Sequence, residues 1–353
     1  MKVWKIMDSW KEFINIRNDG SISLNPFLAC DGGTIDNEIL HVVSHAHTDH
    51  FKPNKVVETY NKGGVVLMTE LTRRLLTYSP ITLGENYLGL KVLNPGESIN
   101  LEGLDIKFLD NNHILGSIQV EVKDFENNIS SGYSGDFNSD IIEFIDVDYL
   151  VVDATYNGEI SQNREWSEQQ AEDELLQRIN EDLNAGPVNL IADSGLLNML
   201  VHKLDIKQSQ EYIIGKKEVG HFSKIYDETG YEQPLVVEKE SEEAKNLYKS
   251  GKYLWIGNSL SDWPFTIPRG KTYVVKNFSP NNLSPIQQYK NSESMFRASL
   301  TCHATQDEIY NYIRGVNPKV VITDSSRNDA GSLTLAKNIR EKLKIPSYAS
   351  SVL

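Results

Sequence analysis

The sequence predicts a mixed α/β protein in which a second α/β unit is inserted into the first. Residues 1–155 consist mainly of strand-like apolar runs separated by Asn, Pro and Gly. Residues 160–285 instead alternate strand patterns with helical periodicity. A length of 353 residues suffices for two domains or for one domain with an insertion. We therefore expect a first domain built from residues 1–158 and 288–353, and an inserted domain at 159–287.

The first part of the chain contains mainly strand patterns. The predicted strands lie in ISLNPFLAC (22–30), ILHVVS (39–44), YLGLKVL (87–93), ESINLEGLDIKFL (97–109), SIQVEVKDF (117–125), NISSGYSG (128–135) and DYLVVDATY (148–156). ILHVVS and DYLVVDATY are apolar enough to be buried. TELTRRLLTY predicts a short helix with Thr69 near its start.

Helical periodicity becomes strong from Ser167 onward. Ser167 and Gln170 form a capping-box pattern at the start of a predicted helix. The apolar stripe of this helix consists of Ala171, Leu175, Ile179 and Leu183. PVNLIADS and GLLNMLVHKL predict a strand followed by a helix, and near the C-terminus KVVITD precedes a final helix near 331–343.

Composition and charge limit the classes of function. No apolar run approaches the roughly 20 residues of a membrane-spanning helix, so we expect no membrane partner. Cys30 and Cys302 are too few for a disulfide framework, which favours a cytoplasmic location. A net charge of −14 argues against non-specific coating of nucleic acid. Bound divalent metals would nevertheless add positive charge where a phosphate must lie.

Four of the eight histidines lie between positions 41 and 50, three of them in the segment SHAHTDH. In extended backbone, residues two apart point the same way, so His45 and His47 can bind one metal ion. Asp49 and His50, on the following turn, can face a second. The pattern therefore predicts a metal-binding loop directly after a strand.

A pair of metal ions also needs ligands from elsewhere in the chain. His113 follows the strand LDIKFL, and Asp136 follows the strand NISSGYS, so both occupy strand ends like the histidine loop. Asp31, which ends FLACD, is a candidate for orienting the ligands through hydrogen bonds from behind.

These motifs resemble those of the metallo-β-lactamase superfamily. CD at 30–31, HAHTDH at 45–50, NHILGS at 112–117 and SGDFN at 134–138 match its first four motifs in order. The resemblance implies an αββα sandwich with a two-metal hydrolytic site on loops at the sheet edge. The implied ligands are His45, His47 and His113 for the first zinc ion, Asp49 and His50 for the second, and Asp136 as the bridge.

Two later segments resemble the β-CASP nucleases of this superfamily, which carry an α/β insertion. YLVVDATYN, with Asp153, is similar to their first extra motif, and LTCHATQDEIYNYI is similar to the segment whose histidine, here His303, engages the scissile phosphate. The resemblance implies phosphodiester hydrolysis by hydroxide that two zinc ions activate. The implied catalytic residues are Asp49, Asp136, Asp153 and His303.

The third extra motif departs from the RNA-processing pattern, because PKVVITDSS places Asp324 where those enzymes have a histidine. The DNA-crosslink-repair (Artemis-type) branch also lacks that histidine and favours Asp at the first extra motif. Asn112 before His113 resembles that branch too. ILGS at 114–117 and the short chain are instead similar to RNA-processing and prokaryotic exonuclease members. On balance, the features shared with the DNA branch (Asp153, Asp324 and Asn112) favour DNA over RNA as the substrate.

Asp324 has two interpretations. It could replace the imidazole as an oxygen ligand, so that the second site accepts a harder ion such as Mn²⁺. It could instead cap the following turn together with Ser325 and Ser326, which would leave the second metal weakly held. Candidate contacts to a substrate phosphate are Ser117, Arg297 and Arg327.

The sequence thus predicts a cytoplasmic, zinc-dependent nuclease that acts on single-stranded DNA or DNA ends. Three alternatives stay open: an RNA exo- or endonuclease of the same fold, a metallohydrolase of small phosphodiesters or esters, and a binding subunit of a larger assembly. The intact ligand set argues against the last. A homo-oligomer or a complex with a partner protein also stays open.

Overall fold

The structure is a computed structural model that describes residues 9–32, 39–77, 89–138, 143–155, 165–204, 213–259, 270–276 and 284–353. The described residues form a mixed α/β protein, which confirms the predicted class. The chain divides into two compact units, the first formed by Met1–Gly158 and His303–Leu353 and the second by Glu159–Cys302. In the part of the chain that is described, no helix is long and apolar enough to cross a membrane.

The first unit contains two sheets, with strands numbered here along the chain. The first sheet consists, in spatial order, of β1 (Asn15–Ile16), β2 (Ile22–Asn25), β3 (Leu28–Cys30), β4 (Leu40–Val42), β5 (Val65–Met68) and β6 (Leu90–Val92). The second consists of β7 (Ser98–Leu101), β8 (Leu104–Asp110), β9 (Ile118–Asp124), β10 (Ile129–Tyr133), β11 (Tyr149–Val152), β19 (Val320–Thr323) and β20 (Ser347–Ala349). Its spatial order is β20-β19-β11-β10-β9-β8-β7.

These two sheets share one hydrophobic core. Alternation along β9 directs Ile118, Val120 and Val122 into this core. Leu24 and Leu40 of the first sheet belong to the same cluster. Removal of this apolar surface from water is the main force that holds the sheets together.

Helices of this unit pack against both sheets. The helices of this unit are α1 (Pro53–Asn61), α2 (Glu70–Leu76), α7 (Gln306–Val316) and α8 (Asp329–Lys342). α1 packs on β4 and β5. On the second sheet, Leu150 and Val321 form a cluster with Ile313 of α7 and Ile339 of α8. α2 begins as predicted, because Oγ1 of Thr69 accepts the N–H of Thr72 at 3.1 Å.

Parallel pairing brings the ends of several strands to the same edge. β10, β11 and β19 run parallel, and Asp136, Asp153 and Asp324 follow them in turn. β3 and β4 also run parallel, and Asp31 and the loop at 44–50 follow those strands. In each of the two sheets, the polar residues that the sequence singles out therefore follow the carboxyl ends of neighbouring parallel strands.

The second unit has a sheet of its own, with the order β14-β13-β15-β12-β16-β18-β17. Its strands are β12 (Val188–Ile191), β13 (Ile213–Gly215), β14 (Val236–Glu238), β15 (Leu254–Gly257), β16 (Lys271–Lys276), β17 (Ile286–Gln288) and β18 (Met295–Ser299), and its helices are α3 (Glu168–Ala185), α4 (Leu196–Lys203), α5 (Lys217–Glu228) and α6 (Glu242–Ser250). The predicted capping box of Ser167 and Gln170 is present at the start of α3. Ala171, Leu175 and Ile179 of the predicted stripe are buried.

The second unit extends to Cys302, whereas the sequence pattern predicts that the insertion ends at residue 287. β18 pairs in parallel with β16 and antiparallel with β17, so the chain after residue 287 completes this sheet. The physical reason is that the backbone groups of Met295–Ser299 find their hydrogen-bond partners here. An apolar strand looks the same in sequence whichever sheet it joins, so the pattern alone misplaces this boundary.

Candidate metal centre

The loop that follows β4 brings two histidine side chains together. The N–H groups of His50 and Phe51 donate to the carbonyl oxygen of His47 at 3.2 and 3.0 Å, which closes a turn. Nε2 of His45 and Nδ1 of His47 lie 3.0 Å apart. The two rings therefore direct nitrogen atoms to one point, as their alternate spacing predicts.

His113 comes from the loop between β8 and β9. Oγ of Ser117 accepts the N–H groups of His113 and Ile114 at 3.2 and 3.1 Å, and donates to the carbonyl oxygen of Ile114 at 2.6 Å. Ser117 is 1 % exposed, so its hydroxyl shapes this loop. This placement argues against the expected substrate contact at Ser117, because its hydrogen-bonding groups are used inside the loop.

Asp136 lies in the loop after β10, which Asn111 ties to the loop of His113. Nδ2 of Asn111 lies 2.9, 2.9 and 2.7 Å from the carbonyl oxygens of Ile118, Ser134 and Asp136. Sequence reasoning missed Asn111, although its place beside His113 at a strand end was an available signal. A buried amide here fixes the spacing between two ligand-bearing loops.

Four donor atoms from these loops fit a single metal ion. Donor atoms of His45, His47, His113 and Asp136 all lie within 4.8 Å of one another. Nδ1 of His47 lies 3.3 Å from Nε2 of His113. Oδ2 of Asp136 lies 3.9 Å from Nε2 of His45 and 3.9 Å from Nε2 of His113. A tetrahedral Zn²⁺ with ligands at ~2.0–2.1 Å would separate them by roughly 3.3 Å, within the observed range.

The protonation states of these groups favour metal binding. Burial and the neighbouring His50, His47 and His113 hold the pKa of His45 well below its usual range. Burial opposes ionisation of Asp136, but His50 and Arg327 outweigh it and hold the pKa of Asp136 well below its usual range. Neutral imidazole and ionised carboxylate are the forms that bind a metal ion.

Asp31 and Ser44 set the tautomer of His45. Asp31 accepts the N–H of Ser44 at 2.8 Å and its hydroxyl at 2.7 Å. Nδ1 of His45 lies 3.0 Å from the same hydroxyl oxygen. Because the Ser44 hydrogen goes to the carboxylate, Nδ1 of His45 must be the donor, and Nε2 keeps its lone pair for a metal ion. Asp31 thus occupies the orienting position that the sequence predicts, whereas the role of Ser44, adjacent to His45, was missed.

His50 lies between two carboxylates. Its Nδ1 is 2.7 Å from Oδ2 of Asp31, and its Nε2 is 3.0 Å from Oδ2 of Asp136. Burial lowers the pKa of His50, but Asp136 and Asp31 outweigh burial and the repulsion of Arg327, and raise it to about 10. A pKa of about 10 favours the protonated ring at neutral pH, and its positive charge then offsets part of the negative charge of Asp31 and Asp136.

Arg327 joins two of the expected ligands of a second metal. Its Nε donates to Oδ2 of Asp49 at 2.9 Å, and its Nη1 lies 3.4 Å from Oδ2 of Asp324. Burial raises the pKa of Asp49, but His50 and Arg327 outweigh it, and the net shift is downward. The expected substrate contact Arg327 thus lies at the candidate site, in contact with these carboxylates.

Asp324 acts as a turn cap in this structure. Its Oδ1 accepts the N–H of Ser326 at 2.8 Å. The side chain is buried, and burial raises the pKa of this carboxyl. Of the two interpretations of Asp324, the capping contact is the one present.

His303 and Asp153 form a buried pair beside Asp136. Nδ1 of His303 lies 2.9 Å from Oδ2 of Asp153 and 3.9 Å from Oδ2 of Asp136. Burial lowers the pKa of His303, but Asp136 and Asp153 outweigh it and raise the pKa. Donor atoms of these three residues also lie within 4.8 Å of one another. The two residues expected from the later motifs thus adjoin the four-donor cluster.

Arg297 lies in β18 of the second unit, where its side chain is half-buried. It is the one expected site residue outside the first unit. Its contact with a substrate phosphate stays a prediction.

Comparisons with known proteins do not assign this site. No model of a known family matches the chain, and no curated protein matches it. A crystal structure of a protein of unknown function from Enterococcus faecalis V583 is similar, with a TM-score of 0.49 and 13 % sequence identity over 83 % of this chain and 77 % of that one. At this identity and score, the similarity assigns neither a family nor a function.

Proposed function

We propose that this protein is a zinc-dependent phosphodiester hydrolase that cleaves single-stranded DNA or DNA ends. The observation that carries this proposal is the convergence of His45, His47, His113 and Asp136 on one point. These four residues would hold the ion. Three imidazoles and one carboxylate form a donor set that suits Zn²⁺ better than Mg²⁺ or Ca²⁺, which prefer oxygen ligands.

The metal ion would supply Lewis acidity, which lowers the pKa of water and stabilises negative charge on a phosphoryl oxygen. The protein residues around it supply position and charge. Asp153, a carboxylate, can only accept a hydrogen bond, so Nδ1 of His303 carries the proton between them. Nε2 is then the ring nitrogen of His303 that can contact a substrate. When the ring is protonated, Nε2 can donate a hydrogen bond to an anionic oxygen.

Arg327 provides a permanent positive charge at the same site. Its side chain is 17 % exposed, and the Asp49 side chain that it contacts is 57 % exposed, so solvent reaches this side of the cluster. A guanidinium in such a position suits a phosphate group, because its planar N–H groups match phosphate oxygens. A substrate phosphodiester is thus the ligand class that these residues fit best.

The fold of the first unit supports the same proposal. We infer an αββα sandwich of the metallo-β-lactamase type, since two sheets share a core and helices pack on their outer faces. The second unit would correspond to the β-CASP insertion, and the pairing of Asp324 with Arg327 would correspond to the DNA-processing pattern that lacks the last histidine. The preference for DNA rests on these sequence motifs.

The test is cleavage of matched single strands of DNA and RNA, labelled separately at each end, by zinc-loaded protein. Asp136→Asn removes the ligand charge without changing the size of the side chain. Asp146→Asn is the matched control, since the Asp146 side chain is 92 % exposed and pairs only with Lys123 among the contacts of the described residues.

We expect DNA cleavage by the wild type and by Asp146→Asn, and its loss in Asp136→Asn. The label released first gives the polarity. Cleavage of RNA alone would reject the preference for DNA. Cleavage of neither polymer, together with hydrolysis of a small chromogenic phosphodiester, would replace the nuclease with a small-substrate hydrolase.

A further inference from the structure

The residues expected to hold a second metal ion are not arranged as a metal site. Among the described residues, the groups whose donor atoms lie within 4.8 Å of one another contain none of Asp49, His50 and Asp324. Asp49 and Asp324 are instead joined by the guanidinium of Arg327. The oxygen of Asp49 that contacts Arg327 at 2.9 Å is also the one that lies 3.6 Å from Nε2 of His50. One oxygen of each of these two carboxylates is therefore already directed at a cation.

We propose that the site takes one metal ion, and that the guanidinium of Arg327 occupies the place of a second cation. Arg327 follows Asp324 in the turn after β19, and Asp324 caps that turn through Ser326, so the chain itself fixes where the guanidinium lies. A metal ion bound at the same oxygen of Asp49 would be repelled by the guanidinium, because both are positive and share one lone-pair-bearing atom.

A fixed guanidinium also has a use in the proposed reaction. The guanidinium is positively charged at any accessible pH, whether or not metal ions are abundant. Its remaining N–H groups can donate hydrogen bonds to an anionic oxygen of the substrate. In this proposal the three histidines and Asp136 bind the metal ion, and Arg327 binds the substrate phosphate beside it. This inference rests on the proposed metal centre, but it does not require that the substrate be DNA.

The test is the number of metal ions per chain. Chelator-treated protein is titrated with Co²⁺, whose visible absorption reports each bound ion, and Zn²⁺ content is measured by elemental analysis after dialysis. Three variants separate charge from side-chain loss: Arg327→Ala and Arg327→Gln remove the cation, whereas Arg327→Lys keeps it. Arg314→Ala is a control on α7, where the guanidinium contacts Asn311. Circular dichroism identifies which variants are folded.

We expect a titration endpoint of one equivalent in the wild type, in Arg327→Lys and in Arg314→Ala. The endpoint should rise toward two equivalents in Arg327→Ala or Arg327→Gln, whichever is folded, because Asp49 and Asp324 then lose their cation. Two equivalents in the wild type would overturn the inference. So would one equivalent in a folded neutral variant.

The titration also separates this inference from the nuclease proposal. A wild type that binds one ion but cleaves no nucleic acid would reject the proposed reaction and support the single-metal site. A wild type that binds no ion would overturn the metal centre, and the single-metal site with it.

Discussion

His303 contacts Asp153 through Nδ1 and Oδ2 at 2.9 Å, although 150 positions separate them in the chain. Asp153 follows β11, and its other carboxylate oxygen accepts the N–H of Thr155 at 2.7 Å. The second contact holds the carboxylate in place, so His303 meets a fixed acceptor. Asp153 therefore orients the imidazole of His303 beside Asp136. Neither Asp153 nor His303 belongs to the four-donor cluster.

Asp153→Asn should lower the rate of strand cleavage by at least about tenfold while metal content stays unchanged. The reason is that an amide presents both a donor and an acceptor to Nδ1, and thus no longer selects the tautomer of His303. Single-turnover cleavage and elemental analysis on the same sample measure the two quantities. Loss of the metal ion in this variant would contradict the account, since it would make Asp153 part of the ligand set.

Ser44→Ala should weaken metal binding by about 10–100-fold, the usual cost of removing a hydrogen-bond partner behind a histidine ligand. The substitution deletes the oxygen that accepts Nδ1–H of His45. The matched control is Ser131→Ala, which also removes a buried hydroxyl, in this case one that donates to the carbonyl oxygen of Leu24. Competition with a chromogenic chelator gives both affinities. Equal affinities in the two variants would show that Ser44 has no orienting role.

Gly135→Ala should destabilise the protein and disturb the metal site. Gly135 has a φ of +60°, and a Cβ there would lie 2.5 Å from Nδ2 of Asn111 and 2.5 Å from the carbonyl oxygen of Ile118. The backbone would have to shift, at a cost of about 1–3 kcal/mol or more in the free energy of unfolding. Gly96→Ala is the control, because Gly96 has a φ of +87° but no neighbouring atom within 4 Å of the added carbon.

Urea unfolding measures both free energies, and chelator competition measures metal affinity. We expect Gly96→Ala to cost less than Gly135→Ala and to leave metal affinity unchanged. Equal destabilisation by the two substitutions would mean that the positive φ, rather than crowding against Asn111, determines the effect.

Asp124 should make the stability of the protein depend on pH in the acid range. Its carboxylate accepts the side-chain amide of Asn25 at 2.9 Å, and the backbone and side-chain N–H groups of Asn127 at 3.0 and 2.8 Å. Burial opposes ionisation, but the bonds from Asn127 and Asn25 outweigh it and lower the pKa. A lowered pKa means that the folded protein binds fewer protons, so this stabilisation is present above the unfolded pKa of about 3.9 and is lost as pH falls below it.

Asp124→Asn should therefore cost about 1–3 kcal/mol in the free energy of unfolding near neutral pH, and the cost should become smaller as the pH falls below about 4. Urea unfolding of the wild type and the variant across this range gives the difference. Asp146→Asn, at an exposed position, should have nearly the same free energy of unfolding as the wild type at every pH in this range. A cost for Asp124→Asn that does not change with pH would mean that the charge of Asp124 is not what stabilises the turn.

Local chemistry made several elements predictable from the sequence. The capping residue of a helix and its partner lie only three positions apart, so Thr69 and the pair Ser167 and Gln170 reveal helix starts directly. Alternate histidines likewise share a direction in extended backbone, which is why His45 and His47 could be paired in advance. These signals need no knowledge of the tertiary fold.

Features that depend on distant parts of the chain could not be predicted in this way. Arg327 and Asp49 are 278 positions apart in the chain. Both were candidate site residues, but their contact could not be predicted from the sequence. The place of Asn111 beside His113 was visible in the sequence, but its three carbonyl partners at Ile118, Ser134 and Asp136 could not be identified before the fold was known. The sequence of β18 does not indicate which sheet this strand joins. The predicted end of the insertion at residue 287 therefore differs from the end of the second unit at Cys302.

The most direct test of the account is the affinity of the protein for Zn²⁺, measured by calorimetric titration of chelator-treated wild type and of His113→Ala. His113 lies 66 positions from His47, and their ring nitrogens lie 3.3 Å apart, so this variant removes a ligand that only the fold supplies. His202→Ala, on α4 of the second unit, is the control. The account predicts Zn²⁺ binding by the wild type and by His202→Ala, and a loss of more than about a hundredfold in His113→Ala. Absence of binding by the wild type, or equal affinity in His113→Ala, would contradict it.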